Sequence, residues 1–140
     1  MNIALDMMGG DFAPLEAVKG VAEFLTADAG GVHLTLIGDE AQIKTHIAAH
    51  PVAADKYTIV HTTQVIEMNE HPTKAKKEKK DSSIAIGFYL LATGKTDAFI
   101  SAGNTGAMMV GSLFSIKAIE GVLRPTIGAY MPREDGSLGL

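Results

Sequence analysis

Strand-like and helix-like segments alternate along the whole chain, and this alternation constrains the possible folds more than any other feature. The strand candidates are short and rich in aliphatic and β-branched residues; they span residues 2–6, 32–37, 57–61, 97–101 and 126–131. Segments with apolar residues at spacings of three and four lie between them. Strands that are apolar on both faces and alternate with helices predict a mostly parallel sheet covered on both sides, which is a three-layer α/β/α fold.

Caps and breakers mark the ends of the predicted helices. Pro14 suits the first position of the first helix, and Gly30 and Gly31 end it. Asp39 is placed to cap the second helix. The polar stretch from residue 67 to 81 is predicted to be a long surface excursion, and the last helix is predicted to run from residue 105 to about 119.

Composition excludes several classes of function. The 140 residues include no cysteine and carry a formal net charge of −4. Disulfides, thiolate metal sites and a cysteine nucleophile are therefore excluded from this sequence. The acidic balance argues against a nucleic-acid partner, and no apolar run reaches the ~18 to 20 residues of a membrane span. The sequence predicts a single soluble, cytoplasmic α/β domain over residues 1–140.

Two glycine-rich turns directly follow strand candidates, at residues 6–11 and 101–106. Ligands of open α/β sheets collect at the carboxyl ends of strands. The first amides of the helix after Gly103 suit a phosphate or a developing oxyanion. Neutral hydrogen-bond donors stand in the second turn: Ser101, Asn104 and Thr105. The alternative, which stays open here, is that each turn needs glycine only for its backbone conformation and for close packing.

Metal and nucleotide sites find little support in the sequence. Neither turn matches the P-loop or the three-glycine dinucleotide pattern. Asp6 and Asp11 are magnesium candidates, although a loop cap is the favoured interpretation of an aspartate that closes a strand. His46 and His50 have the spacing of a metal pair on a helix, but no third ligand accompanies them. We therefore predict a site without a metal or a cofactor.

Five lysines crowd into seven residues of this acidic chain: Lys74, Lys76, Lys77, Lys79 and Lys80. The plain interpretation is a solvated, mobile face. The functional alternatives are a docking surface for an acidic partner, or one or two lysines that reach a phosphate site. Lys80 is the more informative residue of the run, because it precedes Ser82 and Ser83, either of which is placed to cap the next helix.

Four segments resemble the landmarks of one enzyme family. Residues 3–14, IALDMMGGDFAP, closely resemble the opening of the PlsX-type phosphate acyltransferases. KKDSS at 79–83, ISAGNTGAM at 100–108 and GVLRP at 121–125 resemble the next three landmarks of that family, in the same order and at similar spacing. Together the four segments cover nearly the whole chain.

The resemblance implies an enzyme that transfers a fatty acyl group from acyl carrier protein to inorganic phosphate and forms acyl phosphate for phospholipid synthesis. It also implies a fold similar to that of phosphotransacetylases and isocitrate-dehydrogenase-like enzymes, and a homodimer. Members of the family are cytoplasmic and associate peripherally with the membrane, a property of which this sequence carries no sign. They are more than twice this length, so the chain resembles the N-terminal part of such an enzyme.

The turns and the resemblance together predict the site residues. Asn104 and Lys80 are predicted to be catalytic. Contacts to phosphate or substrate are predicted for Gly9, Gly10, Asp11, Ser82, Ser83, Ser101, Gly103, Thr105 and Gly106. Docking of the acidic carrier protein is predicted for Lys74, Lys76, Lys77, Lys79 and Arg124. Two other functions remain as alternatives: a non-catalytic module that binds an acidic partner, and an actin-like phosphate-binding kinase or ATPase.

Overall fold

A four-stranded parallel sheet in the order β3-β2-β1-β4 forms the centre of the computed structural model, which describes residues 1–27, 30–123 and 125–139. Its strands are β1 (Asn2–Asp6), β2 (His33–Gly38), β3 (Tyr57–His61) and β4 (Ala98–Ile100). Every neighbouring pair is parallel. Parallel neighbours require a crossover on a face of the sheet, and helices provide these connections.

Side-chain caps set where several helices begin. The helices are α1 (Leu15–Ala27), α2 (Glu40–Ala49), α3 (Pro72–Glu78), α4 (Ser83–Ala92) and α5 (Thr105–Ser115), with a short 3-10 helix at Ala54–Lys56. The carboxylate of Asp39 accepts hydrogen bonds from the second and third amides of α2, as its place in the sequence predicts. Ser82 caps α4 in the same way. No helix among the described residues is long and apolar enough to cross a membrane.

One face of the sheet packs against α1 and α2. Leu34 and Leu36 alternate along β2, so both side chains point to this face. They form a buried cluster with Val18 and Val21 of α1 and Ile43 of α2.

The opposite face packs against α4, and α5 packs against α4 in turn. Phe99 of β4 meets Phe88 of α4 edge to face, with the ring centroids 5.1 Å apart. Phe88 also joins Ile84 and Ala107 in a second buried cluster. A Cβ atom on Gly87 would lie 2.2 Å from the Phe99 ring, so only glycine allows α4 this close to the sheet. Helices on both faces confirm the predicted three-layer arrangement.

The predicted fifth strand of the sheet is wrong. Within residues 126–131 only Met131 belongs to a strand, and β5 (Met131–Pro132) pairs antiparallel with β6 (Leu138–Gly139) in a separate hairpin. The side chains of residues 125–138 are exposed. A short apolar run is compatible with several environments, and its pairing depends on a partner strand that local sequence cannot supply.

Two helix predictions also need correction. The polar excursion at residues 67–81 contains α3, and this helix buries Ala75, which is 3% exposed, against the second cluster. The last helix ends at Ser115 rather than near residue 119. Lys117 has a φ of 71°, and such a left-handed residue does not continue an α-helix.

Candidate functional site

The two glycine turns meet at the carboxyl edge of the sheet. β1 and β4 are adjacent and parallel, and Leu5 pairs with Ile100 in the register between them. The turns that follow these strands therefore leave the sheet side by side. The Ser101 hydroxyl of the second turn donates a hydrogen bond of 2.7 Å to the Asp6 carboxylate of the first turn. The prediction that one edge of the sheet carries both turns is confirmed.

Glycine allows the backbones of the two turns to touch. A Cβ atom on Gly9 would lie 2.6 Å from the amide nitrogen of Gly103 and 2.8 Å from the Asp6 carboxylate. Gly10 has a φ of 102°, a conformation that residues with side chains rarely adopt. The packing explanation of these glycines is therefore correct for the first turn. The same packing brings the two turns within reach of a single ligand.

The Asp6 carboxylate holds both turns in place. Asp6 is 6% exposed, and its two oxygens accept from the Met8 amide at 3.0 Å and from the Ser101 hydroxyl. The Ser101 oxygen in turn accepts the Gly103 amide at 3.0 Å. Asp6 is thus the loop cap that the sequence favoured. The Ser101 hydroxyl and the Gly103 amide thus both donate hydrogen bonds within the two turns.

The described residues contain no group of three or more His, Asp or Glu side chains that could hold a metal ion. Asp11 is exposed at the rim of the first turn. His46 lies in the last turn of α2 and His50 caps that helix, where the His50 amide donates to the His46 carbonyl.

The Asn104 side chain is fully used by the fold. Its oxygen accepts the Ala107 amide at 2.9 Å and caps α5. Its nitrogen donates to the carbonyls of Glu67, Met68 and Glu70 at 3.0, 3.3 and 3.1 Å. Asn104 is 5% exposed. Its amide group therefore fixes the start of α5 and the loop before α3.

The first amides of α5 are free donors at this edge of the sheet. The amides of Thr105 and Gly106 make no hydrogen bond to any residue that the structure describes, whereas those of Ala107 and Met108 bond to Asn104. Free amides at a helix N-terminus carry partial positive charge and bind anions. Anion binding is therefore the chemistry that this arrangement offers.

Ser82 and Ser83 lie beneath the start of α4. Both are buried, at 0% and 1% exposure. The Ser82 hydroxyl oxygen accepts the Ala85 amide, and the Ser83 amide donates to the Gln64 carbonyl at 3.2 Å. The structure places these serines in the interior.

Two of the five lysines have defined partners. The Lys79 ammonium donates to the Glu70 carboxylate and to the Val65 carbonyl, both at 2.6 Å. The Lys76 ammonium lies 4.1 Å from the centre of the Phe114 ring. These contacts join α3 to the preceding loop and to α5.

The other three lysines are exposed. Lys74 and Lys77 stand on α3, and Lys74 is 4.0 Å from Glu78, at the limit of an ion pair. Lys80 lies on the rim of a cavity of about 200 Å³ between α4 and α5, which Lys76 also lines. Arg124, which the sequence assigned to docking, lies outside the described residues.

Sequence reasoning missed a larger cavity of about 500 Å³ that begins at the glycine turns. It lies between α1 and the face of the sheet that carries Ile3, Leu5 and Ile100. No local sequence pattern shows that α1 leaves this face partly uncovered.

Hydrogen bonds lower the pKa of the Glu70 carboxyl below its usual value of 4.5. The largest cause is the hydrogen bond from the Lys79 ammonium, and the next is the bond from the Glu67 amide. The charged form of Glu70 is thus favoured by the fold, and it ties the loop before α3 to the residue that follows this helix.

Comparison with known proteins matches the whole chain. A family model described as "Fatty acid synthesis protein" matches residues 1–140. A protein named phosphate acyltransferase from Thermoanaerobacterium thermosaccharolyticum is 43% identical over 98% of this chain and 39% of its own length. Proteins of the same name from Dictyoglomus turgidum and Bacillus pumilus are 45% and 42% identical, over 94% and 98% of this chain and 39% and 40% of their own lengths. The chain spans about two fifths of the length of these curated relatives.

Substituting Gly9 tests the close packing of the two turns. Gly9→Ala is expected to lower the free energy of unfolding by about 1–3 kcal/mol, because the new methyl group must push the Gly103 backbone away. Urea unfolding measures this change. Gly20→Ala on α1 is the control, since its Cβ would meet no atom within 4 Å and alanine favours the helix. Equal stability of Gly9→Ala and the wild type would contradict the packing described above.

The Glu70 contacts predict an acid-sensitive loop. The pKa of Glu70 is lower in the folded than in the unfolded state, so the charged carboxylate stabilises the folded protein above pH 4.5. This stabilisation is lost as the pH falls through the pKa of the folded state. Glu70→Gln is expected to lower the unfolding temperature at pH 7, with a smaller difference from wild type at pH 3. Calorimetry at both pH values measures it, with the more exposed Glu78→Gln as the control. A difference that does not shrink at pH 3 would count against this role.

Proposed function

The chain belongs to the fatty acid synthesis protein family, and from that premise we propose that the whole protein transfers a fatty acyl group to inorganic phosphate. The product is an acyl phosphate for lipid synthesis. The name phosphate acyltransferase, carried by relatives that match nearly the whole chain, supports this activity. The observation that carries the proposal is the meeting of the two glycine turns at the start of α5, where an anion can be held.

Phosphate binds at the first turn of α5 in this proposal. The amides of Thr105 and Gly106 donate to its oxygens, and the Thr105 hydroxyl adds a third donor. The helix N-terminus favours the negative charge. Gly9 and Gly10 form the facing wall, because the two turn backbones are in contact. The exposed Asp11 carboxylate makes no phosphate contact here, since like charges repel.

The reaction depends on how phosphate and the acyl thioester are positioned, and it needs no nucleophile from the protein. A phosphate oxygen attacks the carbonyl carbon of an acyl thioester, and the new C–O bond forms a tetrahedral oxyanion. This intermediate collapses as the C–S bond breaks, and the leaving thiolate takes up the proton that the attacking phosphate hydroxyl loses. Holding phosphate beside the thioester makes the attack effectively intramolecular, and amide donors stabilise the developing charge. The absence of cysteine is compatible with this direct attack.

The contacts of the remaining site residues assign them to positioning. Asn104 holds the start of α5, and Ser101 holds the Gly103 amide, so both shape the phosphate seat without touching phosphate. Ser82 and Ser83 secure the start of α4. Lys80 is exposed and attracts anionic substrates through its charge.

We assign the acyl donor to acyl carrier protein, which is acidic. Lys74 and Lys77 offer exposed positive charge on α3. The start of α3 lies against the phosphate seat, because a Cβ atom on Gly106 would be only 2.4 Å from the Pro72 ring. A carrier protein docked on α3 would thus bring its thioester close to the start of α5. Lys79 is engaged by Glu70 and contributes little to this surface.

The predicted cytoplasmic location and the predicted homodimer belong to the same proposal. A cytoplasmic enzyme agrees with the absence of a membrane-spanning helix among the described residues. The homodimer stays a prediction that light scattering can check. The comparisons give no support to an actin-like kinase or to a non-catalytic binding module.

A proline at the first position of α5 tests the proposed phosphate seat. Thr105→Pro removes one amide donor but suits the first position of a helix. The Asn104 ψ of 109° also lies outside the helical range that a following proline disfavours. In the complete gene product, kcat/KM for phosphate is expected to fall about 10- to 100-fold, as for a lost hydrogen bond to a charged group. Acyl phosphate formation from acyl carrier protein thioester is measured.

Thr105→Ala is the matched control, because it removes the hydroxyl and keeps the amide. A smaller loss is expected for this variant. Equal rates for the proline and alanine variants would remove the Thr105 amide from the site. Failure of the wild-type protein to form acyl phosphate would overturn the proposed function.

Charge reversal on α3 tests the docking surface. The double variant Lys74→Glu with Lys77→Glu is expected to raise the KM for the carrier protein about tenfold at low salt, with an unchanged KM for phosphate. The effect should shrink as salt rises. Lys19→Glu with Lys44→Glu, on α1 and α2, makes the same change in net charge elsewhere. Equal effects of the two double variants would argue against a docking site on α3.

A further inference from the structure

A chain of hydrogen bonds connects the end of α3 to the start of α5. The Lys79 ammonium donates to the Glu70 carboxylate at 2.6 Å. The Glu70 carbonyl accepts the side-chain nitrogen of Asn104 at 3.1 Å, and the side-chain oxygen of Asn104 accepts the Ala107 amide at 2.9 Å. Lys79 directly follows α3, and Ala107 lies in the first turn of α5. These contacts therefore link the ends of two helices that are far apart in the chain.

The Lys79–Glu70 ion pair is less exposed than any other ion pair among the residues that the structure describes. Its two side chains are 30% and 29% exposed, whereas the side chains of the other pairs are at least 44% exposed. The same Glu70 oxygen also accepts the Glu67 amide at 2.7 Å, and the Lys79 ammonium also donates to the Val65 carbonyl. Because exposed ion pairs contribute little, this pair is the one best able to hold a loop in a fixed shape.

The turn that this ion pair closes, at residues 67–70, lies against the first turn of α5. Three of its carbonyls accept the side-chain nitrogen of Asn104, the residue that caps α5. Helix α3 then begins at Pro72, and a Cβ atom on Gly106 would collide with the Pro72 ring. A movement of the 67–70 turn would therefore shift the start of α5, including the free amides of Thr105 and Gly106.

We propose that Lys79 and Glu70 are positioning residues for the phosphate seat and act through Asn104 on the first amides of α5. The inference rests on the proposed function, and it gives a role to Lys79, which contributes little to the docking surface. Free amides bind an anion well only when their N–H groups point at its oxygens, because hydrogen bonds weaken steeply as they bend. The ion pair fixes this direction without touching phosphate.

Two substitutions of opposite charge separate positioning from direct attraction. Lys79→Met removes the ammonium group and keeps an apolar stem of similar length, and Glu70→Gln removes the negative charge and keeps the shape of the side chain. If the Lys79 ammonium attracted phosphate itself, Glu70→Gln would release this ammonium and strengthen phosphate binding. Positioning predicts weaker phosphate binding for both variants, because either substitution breaks the ion pair.

In the complete gene product, both variants are expected to lower kcat/KM for phosphate about tenfold, while the KM for the carrier protein stays within about twofold. Isothermal titration calorimetry with inorganic phosphate is expected to show weaker binding by both. Lys79→Arg keeps the ion pair and is expected to stay within about threefold of the wild type. The double variant Lys79→Met with Glu70→Gln should lose no more than either single variant, because the two side chains act as one unit.

Two controls separate this effect from loss of charge and loss of stability. Lys44→Met breaks an exposed ion pair with Glu40 on α2, and Val18→Ala opens a cavity in the cluster on the other face of the sheet. Unchanged or stronger phosphate binding by Glu70→Gln, or losses no larger than those of the two controls, would overturn the proposal. Failure of the proposed function is distinct, because the wild-type protein would then neither bind inorganic phosphate nor form acyl phosphate.

Discussion

A hydrogen bond between the Ser101 hydroxyl and the buried Asp6 carboxylate joins two turns that lie 95 residues apart in the chain. A buried carboxylate is costly unless donors satisfy it, and here the Met8 amide and the Ser101 hydroxyl do so. Breaking this bond would leave a buried charge with one donor fewer. The carboxyl edge of the sheet therefore depends on this contact, and the close approach of Gly9 to Gly103 completes it.

The side chains around this edge hold the structure, and the backbone is left to meet a ligand. The amide group of Asn104 caps α5 and donates to three carbonyls of the loop before α3. Lys79 and Glu70 tie that loop to the end of α3. The first amides of α5 make no hydrogen bond to any residue that the structure describes. A preorganised backbone site suits a reaction in which phosphate itself is the nucleophile, because such a reaction needs orientation and charge stabilisation.

The same edge separates a polar chemistry from an apolar one. The start of α5 offers donors to an anion, while Ile3, Leu5 and Ile100 offer an open apolar surface on the face toward α1. An acyl group that reacts with phosphate has both requirements, a polar reacting end and a hydrocarbon tail. Lys74 and Lys77 on α3 add the charge that would recruit an acidic donor.

Local sequence determined the first four strands, the helices α1, α2 and α4, the start of α5, the cap at Asp39 and the two glycine turns. Periodicity, caps and turn residues act over a few neighbours, so a single sequence carries them. Only the tertiary structure decided the rest. The carbonyl partners of Asn104 lie 34 to 37 residues away in the chain. Its place in the glycine turn therefore predicted a catalytic role, whereas its contacts show a side chain that holds the backbone in position. The run at 126–131 lacks a partner in the sheet, and the larger cavity exists because α1 leaves part of a face open. Partner choice and coverage depend on segments distant in the chain, and no local pattern carries that information.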